Sequence, residues 1–124
     1  MNISLTDREA DVMRVLWEHG PSIVNDVRGR LSDLLAYTTV LTVLRTLEAK
    51  GYVRHEEEGR GHRYFPTIQE QAAQKSALKH LIGKMFKGSS DILFTRLVSD
   101  QKLSAEQIRR MRKSLDLKSK KEKP

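Results

Sequence analysis

Apolar residues recur along this chain at two different spacings, and the switch between them marks out its elements. From Thr6 to about His19, the residues Val12, Met13, Leu16 and Trp17 line one face of a helix. Thr6 and Glu9 have the hydroxyl-x-x-glutamate form that caps a helix start, and Gly20-Pro21 stops it. A short second helix fits Ser22 to about Leu31, with Val24, Val27 and Leu31 inward, and Ser32 to Leu35 is a tight connector. The third helix ends at Gly51 and places Val40, Val43, Leu44 and Leu47 at i, i+3, i+4 and i+7. Beyond Gly51 the period changes. Residues 52–56 and 62–65 are strand-like about a turn at Glu57-Glu58-Gly59-Arg60-Gly61, which predicts a hairpin closed by Pro66. Thr67 to Glu70 reads as a second capping box. The helix it opens runs to about Phe86, with Ala73, Ala77, Leu81 and Met85 on one line and Leu78, Ile82 and Phe86 beside it. Gly88-Ser89-Ser90 breaks that helix, a shorter one carries Ile92, Leu93, Leu97 and Val98, and Ser104 to Gln107 caps a last one bearing Ile108, Met111 and Leu115.

Opposite its apolar stripe the third helix gathers Thr38, Thr39, Thr42, Arg45 and Thr46. Threonine is a mediocre helix former, because its branched side chain loses rotamer freedom against the preceding turn. A face needing only solubility is better served by Glu, Lys or Gln. Short hydroxyls and methyls with one bidentate donor suit base edges, thymine methyls and phosphates instead; plain solvation is the competing reading. The order of elements favours recognition. Three short helices and a hairpin within about 65 residues form a winged helix-turn-helix, whose third helix enters the major groove while the hairpin flanks it along the backbone. The expected fold is therefore mainly α with a small β-hairpin: an N-terminal winged helix-turn-helix over residues 1–67, a three-helix dimerisation region over 68–117 and a basic flexible tail over 118–124. In the hairpin, Arg60 and Arg63, with Arg54 nearby, suit phosphate contacts that position rather than read, although Glu56, Glu57 and Glu58 partly cancel their charge. Tyr37 either stacks on sugar-phosphate or packs locally.

The last three helices span fewer than 60 residues and make a thin core by themselves. Their apolar positions, Leu78, Leu81, Ile82, Met85, Leu97, Ile108, Met111 and Leu115, are expected to pair with a second copy. Composition narrows the class further. At 38% hydrophobic and 31% charged residues the chain reads as globular and soluble, without an apolar run of membrane-spanning length or the pattern of a signal peptide. Cysteine is absent, which removes disulfides and thiolate metal sites and fits a cytoplasmic location. The net charge of +7 suggests a polyanionic partner, yet it is unevenly spread. Residues 1–67 hold nine Lys and Arg against ten Asp and Glu, while residues 68–124 hold fourteen against six. The candidate reading helix thus lies in the less basic half. Four histidines (His19, His55, His62, His80) form no metal-ligand spacing. Ser89-Ser90 after a glycine is explained by capping rather than by an anion cradle. Neither a nucleophile triad nor a nucleotide loop emerges, so no metal, cofactor or enzymatic activity is expected.

The chain resembles the penicillinase-repressor family (BlaI/MecI/CopY type) over about residues 3–117. The resemblance rests on Leu5-Thr6 with Glu9, Val12-Met13 before Trp17, Ala36-Tyr37-Thr38-Thr39-Val40 with Thr42-Val43-Leu44, Leu47-Glu48, Lys50-Gly51, and His62-Arg63-Tyr64 before Pro66. It implies a homodimeric repressor on a palindromic double-stranded DNA operator, of the β-lactamase or cell-wall-stress type, with interlocked C-terminal helices. It further implies Thr38, Thr39 and Thr42 facing bases, Arg45 or Thr46 at the far edge, and a membrane metalloprotease sensor whose action leads to cleavage in the dimerisation region. Arg45-Thr46 stands in the reverse of the family's usual order, and the bond cleaved in staphylococcal members falls near Arg96-Leu97 here. The absence of cysteine argues against copper sensing. Two other readings compete: a winged-helix regulator released by a small ligand, as MarR-type proteins are, and a winged helix used only for protein–protein assembly.

Overall fold

The computed structural model describes residues 1–122. Helix α1 (Asp7–His19) opens on a complete capping box. The Glu9 N–H donates to Thr6 Oγ1 at 3.2 Å, and the Thr6 N–H donates to the Glu9 carboxylate at 2.8 Å. Gly20, at φ 81°, ends the helix. The next residues depart from the expected helix. Ser22–Ile23 form a two-residue strand, β1, and helix α2 is confined to Val24–Arg30. Ser22 is buried and its hydroxyl donates to the Gly20 carbonyl at 2.8 Å, which commits the residue to an extended turn before any helix can begin. Helix α3 (Tyr37–Ala49) follows after a turn that Arg28 Nε fixes by donating to the Leu35 carbonyl at 2.6 Å.

The hairpin forms with longer arms than the pattern predicts. Strands β2 (Val53–Glu58) and β3 (Gly61–Pro66) include Glu57 opposite His62 and Glu58 opposite Gly61. The loop is only Gly59-Arg60, with Gly59 at φ 60°, a conformation open to glycine at little steric cost. The sheet order is β1-β3-β2, antiparallel throughout, so β1 covers the edge of β3 that the hairpin leaves unpaired. Thr67 is not the cap of the next helix. Its hydroxyl donates to the Gly51 carbonyl at 2.6 Å and its N–H to Tyr52 at 2.9 Å, closing the base of the hairpin, and α4 begins at Glu70 and ends at Met85.

The chain divides into two compact units, Met1–His80 and the residues from Leu81 onward. The first therefore runs past residue 67 and takes in most of α4. Its core joins Val12, Met13 and Leu16 of α1, Val27 of α2, Val40, Leu44 and Leu47 of α3, and Tyr64 of β3, all buried to within 1% exposure. Ile3, Ile68 and Ala73 extend this core toward α4. There the Ile3 N–H donates to Ser76 Oγ at 2.9 Å, and Trp17 Nε1 donates to the Ile68 carbonyl at 2.9 Å.

The second unit contains α5 (Ser90–Asp100), capped by Ser89, and α6 (Ala105–Glu122), capped by a Ser104–Gln107 box. Helix α6 continues across residues 118–122, where a frayed tail was expected; lysine and glutamate are good helix formers and no breaker intervenes. Lys123 and Pro124 of that tail lie outside the described residues. Among the described residues none beyond Ala73 is buried. Leu78, Leu81, Met85, Leu97, Ile108 and Leu115 are exposed, while Ile82 and Met111 are half-buried. Helices α5 and α6 together line an apolar groove of about 370 Å³ with Phe94, Val98, Leu103, Ile108, Met111 and Leu115.

The ionic tie between α1 and α3 yields the first prediction. Burial alone would raise the Glu9 carboxyl, but Lys50 Nζ at 2.8 Å and the Thr6 donors outweigh it and hold the group below the ordinary glutamate range. A lowered carboxylate stabilises the fold above its unfolded-state value, about 4.3, and that contribution is lost as pH falls through the lower folded-state value. Glu9→Gln should reduce unfolding free energy at pH 7 by about 1–3 kcal/mol and flatten the acid limb of the stability curve. Urea denaturation at pH 7 and pH 3 measures both; a variant as acid-sensitive as the wild type would contradict the assignment.

Candidate nucleic-acid interface

Helix α3 is clamped on one side and open on the other. Val40, Leu44 and Leu47 are fully buried and Val43 is half-buried against the same core, which fixes the helix's rotation about its axis. The exposed side carries Tyr37, Thr38, Thr39, Thr42, Arg45 and Thr46, so all six residues expected on the reading face are at the surface. Two of the hydroxyls are already engaged. Thr42 Oγ1 donates to the Thr38 carbonyl at 2.9 Å and Thr46 Oγ1 to the Thr42 carbonyl at 3.0 Å. With their protons directed into their own helix, these side chains offer outward a methyl group and acceptor lone pairs. Among the described residues Thr38 and Thr39 have no hydroxyl partner and Arg45 no ion pair. Ala36 caps α3 without a side-chain bond, and the first turn holds no acidic residue, so its outermost N–H groups and positive dipole end are left uncompensated.

The hairpin's three arginines separate into different roles. Arg63 Nε and Nη2 both reach Glu58 Oε2, at 3.0 and 2.8 Å, and its Nη1 donates to the Pro21 carbonyl at 3.0 Å. This residue buckles the hairpin onto the turn before β1 and has few donors left for phosphate. Arg54 pairs with Glu56 at 2.9 Å and lies 4.1 Å over the Phe65 ring. Arg60, at the tip, has no partner among the described residues. Of the two hairpin cations expected on phosphate, Arg60 is presented and Arg63 is largely engaged within the chain.

A further cluster lies where the hairpin meets the end of α3. His55 Nδ1 lies 2.6–2.8 Å from the Glu48 carboxylate in the last turn of α3, so that nitrogen carries the proton it donates. The His55 ring stacks on His62 with centroids 4.1 Å apart and planes 15° apart, and Tyr64 lies beside both. Burial, then the Glu48 charge, raises the Tyr64 phenol and keeps it protonated. These contacts tie the hairpin to the end of α3 by side chains on one face of the sheet. Neither ring joins a group of three His, Cys, Asp or Glu able to hold a metal among the described residues.

Helix-turn-helix, hairpin and a third strand covering the hairpin's edge define a winged helix. The solved DNA-binding domain of the repressor BlaI shares the arrangement, with a TM-score of 0.50 and 35% identity over 56% of this chain and 90% of that one. A MarR family protein from Bacillus stearothermophilus shares the fold over 96% of this chain and 76% of its own, with a TM-score of 0.51 and 18% identity. The chain belongs to the penicillinase repressor family, whose signature it matches over residues 5–117. The penicillinase repressor of Bacillus licheniformis is 27% identical over 114 residues, covering 90% of this chain and 89% of that one. The transcriptional regulator BlaI of Mycobacterium tuberculosis is 31% identical over 109 residues, covering 72% and 79%. This is a family of transcriptional repressors, not of enzymes. No helix among the described residues is long and apolar enough to cross a membrane.

The Glu48–His55 contact should couple α3 to the hairpin energetically. In a double-mutant cycle on thermal or urea unfolding of the full chain, Glu48→Gln and His55→Ala should show an interaction energy of about 0.5–1 kcal/mol. Strictly additive effects would remove the contact from the account.

Proposed function

We propose that this protein is a homodimeric transcriptional repressor that occludes a palindromic operator, with α3 reading bases and the hairpin holding the backbone. The observation that carries the reading is the exposed threonine–arginine face of α3 on a helix whose opposite stripe, Val40, Leu44 and Leu47, is fully buried. Thr38 and Thr39 act at the uncompensated helix start, where N–H groups also favour phosphate, and Tyr37 flanks them. Thr42 and Thr46 meet thymine methyls or base amino groups with the methyl and lone pairs they present, and Arg45 donates at the outer edge. Arg60 supplies the hairpin's phosphate contact, with Arg63 bracing it from behind.

Pairing through the C-terminal helices is supported by the absence of a buried residue among the described residues of the second unit. Leu78, Leu81, Ile82 and Met85 of α4, Leu97 of α5 and Ile108, Met111 and Leu115 of α6 are the residues a second copy would cover. The resemblance to repressors of resistance genes supports a regulon of the β-lactamase or cell-wall-stress type, located in the cytoplasm, with a membrane metalloprotease sensor as the partner that relieves repression. Cleavage between Asp91 and Lys102 fits the structure, since α5 has no buried residue to resist local opening. Release by a small apolar ligand has one observation in its favour, the α5–α6 groove.

Two measurements test this function. Thr42→Ala should cost operator affinity about 1–3 kcal/mol while sparing non-specific binding, and Arg60→Ala should weaken all sequences alike, lowering the slope of log K against log salt by about one per chain. The reverse pattern would overturn the division of roles. Sedimentation of the wild type at micromolar concentration should show a dimer. Cutting at a protease site engineered into the Gln101-Lys102 connector should give monomers whose operator affinity falls roughly a hundredfold or more; a cut chain that stays dimeric and bound would reject both dimerisation through this region and cleavage as the release step.

A further inference from the structure

The proposed reading unit has no net charge with which to attract DNA. Residues 1–80 hold eleven Lys and Arg against eleven Asp and Glu, whereas residues 81–124 hold twelve against five. The whole formal charge of +7 therefore resides on the unit that does not carry α3. Within the first unit the imbalance is not rescued locally, because the hairpin neutralises Arg54 with Glu56 and Arg63 with Glu58.

In the second unit the charge is ordered. Arg110, Lys113, Lys120 and Lys121 fall at i, i+3, i+10 and i+11 along α6, with Leu117 at i+7, which gathers them on one face of a continuous helix. All four are exposed, and none has an ion-pair partner among the described residues. By contrast, Arg109 pairs with Glu106, and Arg112 borders the α5–α6 groove. The row points away from Ile108, Met111 and Leu115, so it stays outward whatever covers that groove. Its length is about 16 Å at 1.5 Å per residue. Phosphates of one strand advance about 3.4 Å each along the duplex axis, so several lie within reach of such a row.

We infer that the Arg110–Lys113–Lys120–Lys121 row of α6 is a second, sequence-independent DNA-binding surface that engages the phosphate backbone. Charge complementarity favours duplex DNA as its partner, since a repressor spends its time among non-operator phosphates and its reading unit is electrostatically neutral. The division of labour is then clear: α6 supplies affinity that depends on salt, and α3 supplies affinity that depends on sequence. The inference rests on the DNA-binding reading above.

The test uses the full-length chain and two duplexes, one selected from a random pool for tight binding and one of scrambled sequence. Replacing Arg110, Lys113, Lys120 and Lys121 together with Gln should weaken binding to both duplexes and lower the salt slope by roughly two or more per dimer, each lost phosphate contributing about 0.9. Lys113→Gln and Lys121→Gln alone, too mild to disturb folding, should each lower the slope in proportion, and the four Lys-for-Arg or Arg-for-Lys exchanges should restore it. A salt slope indifferent to all of these variants overturns the inference while leaving the first reading intact, whereas a wild type that binds neither duplex defeats that reading itself. Unchanged DNA binding together with loss of affinity for phosphatidylglycerol–phosphatidylcholine vesicles would also overturn it and assign the row to an anionic membrane surface.

Discussion

Complete burial of Val40, Leu44 and Leu47 is the constraint from which the rest of the first unit follows. Three apolar side chains at helical spacing, packed on α1 and α2, leave α3 no freedom to roll. Truncating any of them to alanine removes packing worth about 2–5 kcal/mol for leucine. With the roll fixed, the other side chains have determined destinations. The threonines and Arg45 emerge at the surface, Glu48 meets His55 of β2, and Lys50, just past the helix end, reaches back to Glu9 of α1. One packed stripe thus sets the exposed threonine face, the hairpin's anchor and the tie to the first helix.

The chemistry of the open face is narrower than its composition suggests. A threonine hydroxyl is nominally both donor and acceptor, but Thr42 and Thr46 direct their protons to carbonyls one turn back. What they present resembles an apolar, weakly accepting surface, suited to thymine methyls and base amino groups rather than to guanine's acceptors. Arg45 is the one strong donor on that face, at its outer edge. The neutral balance of residues 1–80 fits a unit that discriminates, and the excess charge from residue 81 onward fits one that attracts. In the proposed arrangement, separating the two functions would let the α3 face avoid the indiscriminate phosphate affinity that a strongly basic helix would bring.

The helices and their inward residues were legible because a 3.6-residue period leaves a long, redundant signal: α1 and α3 run close to the predicted extents with the predicted stripes. Short and paired features were not. Strand β1 has two residues, too few for alternation to register, and it exists only because β3 offers an edge. The run Glu56-Glu57-Glu58 hid the strand's alternation, and pairing with His62 and Gly61 decided its length. Thr67 carries a capping signature identical to that of Thr6, yet Gly51 captures its hydroxyl. At the site, periodicity identified which residues of α3 are exposed but not which polar groups are already satisfied. Nothing in the spacing shows that Glu58 and the Pro21 carbonyl occupy Arg63, or that Glu48 meets His55, because those contacts join elements across the fold.

The central claim is that burial of one α3 stripe presents the opposite stripe to DNA. Methyl-resolved NMR of the full-length chain, titrated with a duplex selected from a random pool, addresses it directly. The account predicts large shifts for the γ-methyls of Thr38, Thr39, Thr42 and Thr46, with the Val40, Leu44 and Leu47 methyls nearly still. Shifts confined to residues outside α3, or threonine methyls unmoved at saturating DNA, would contradict it.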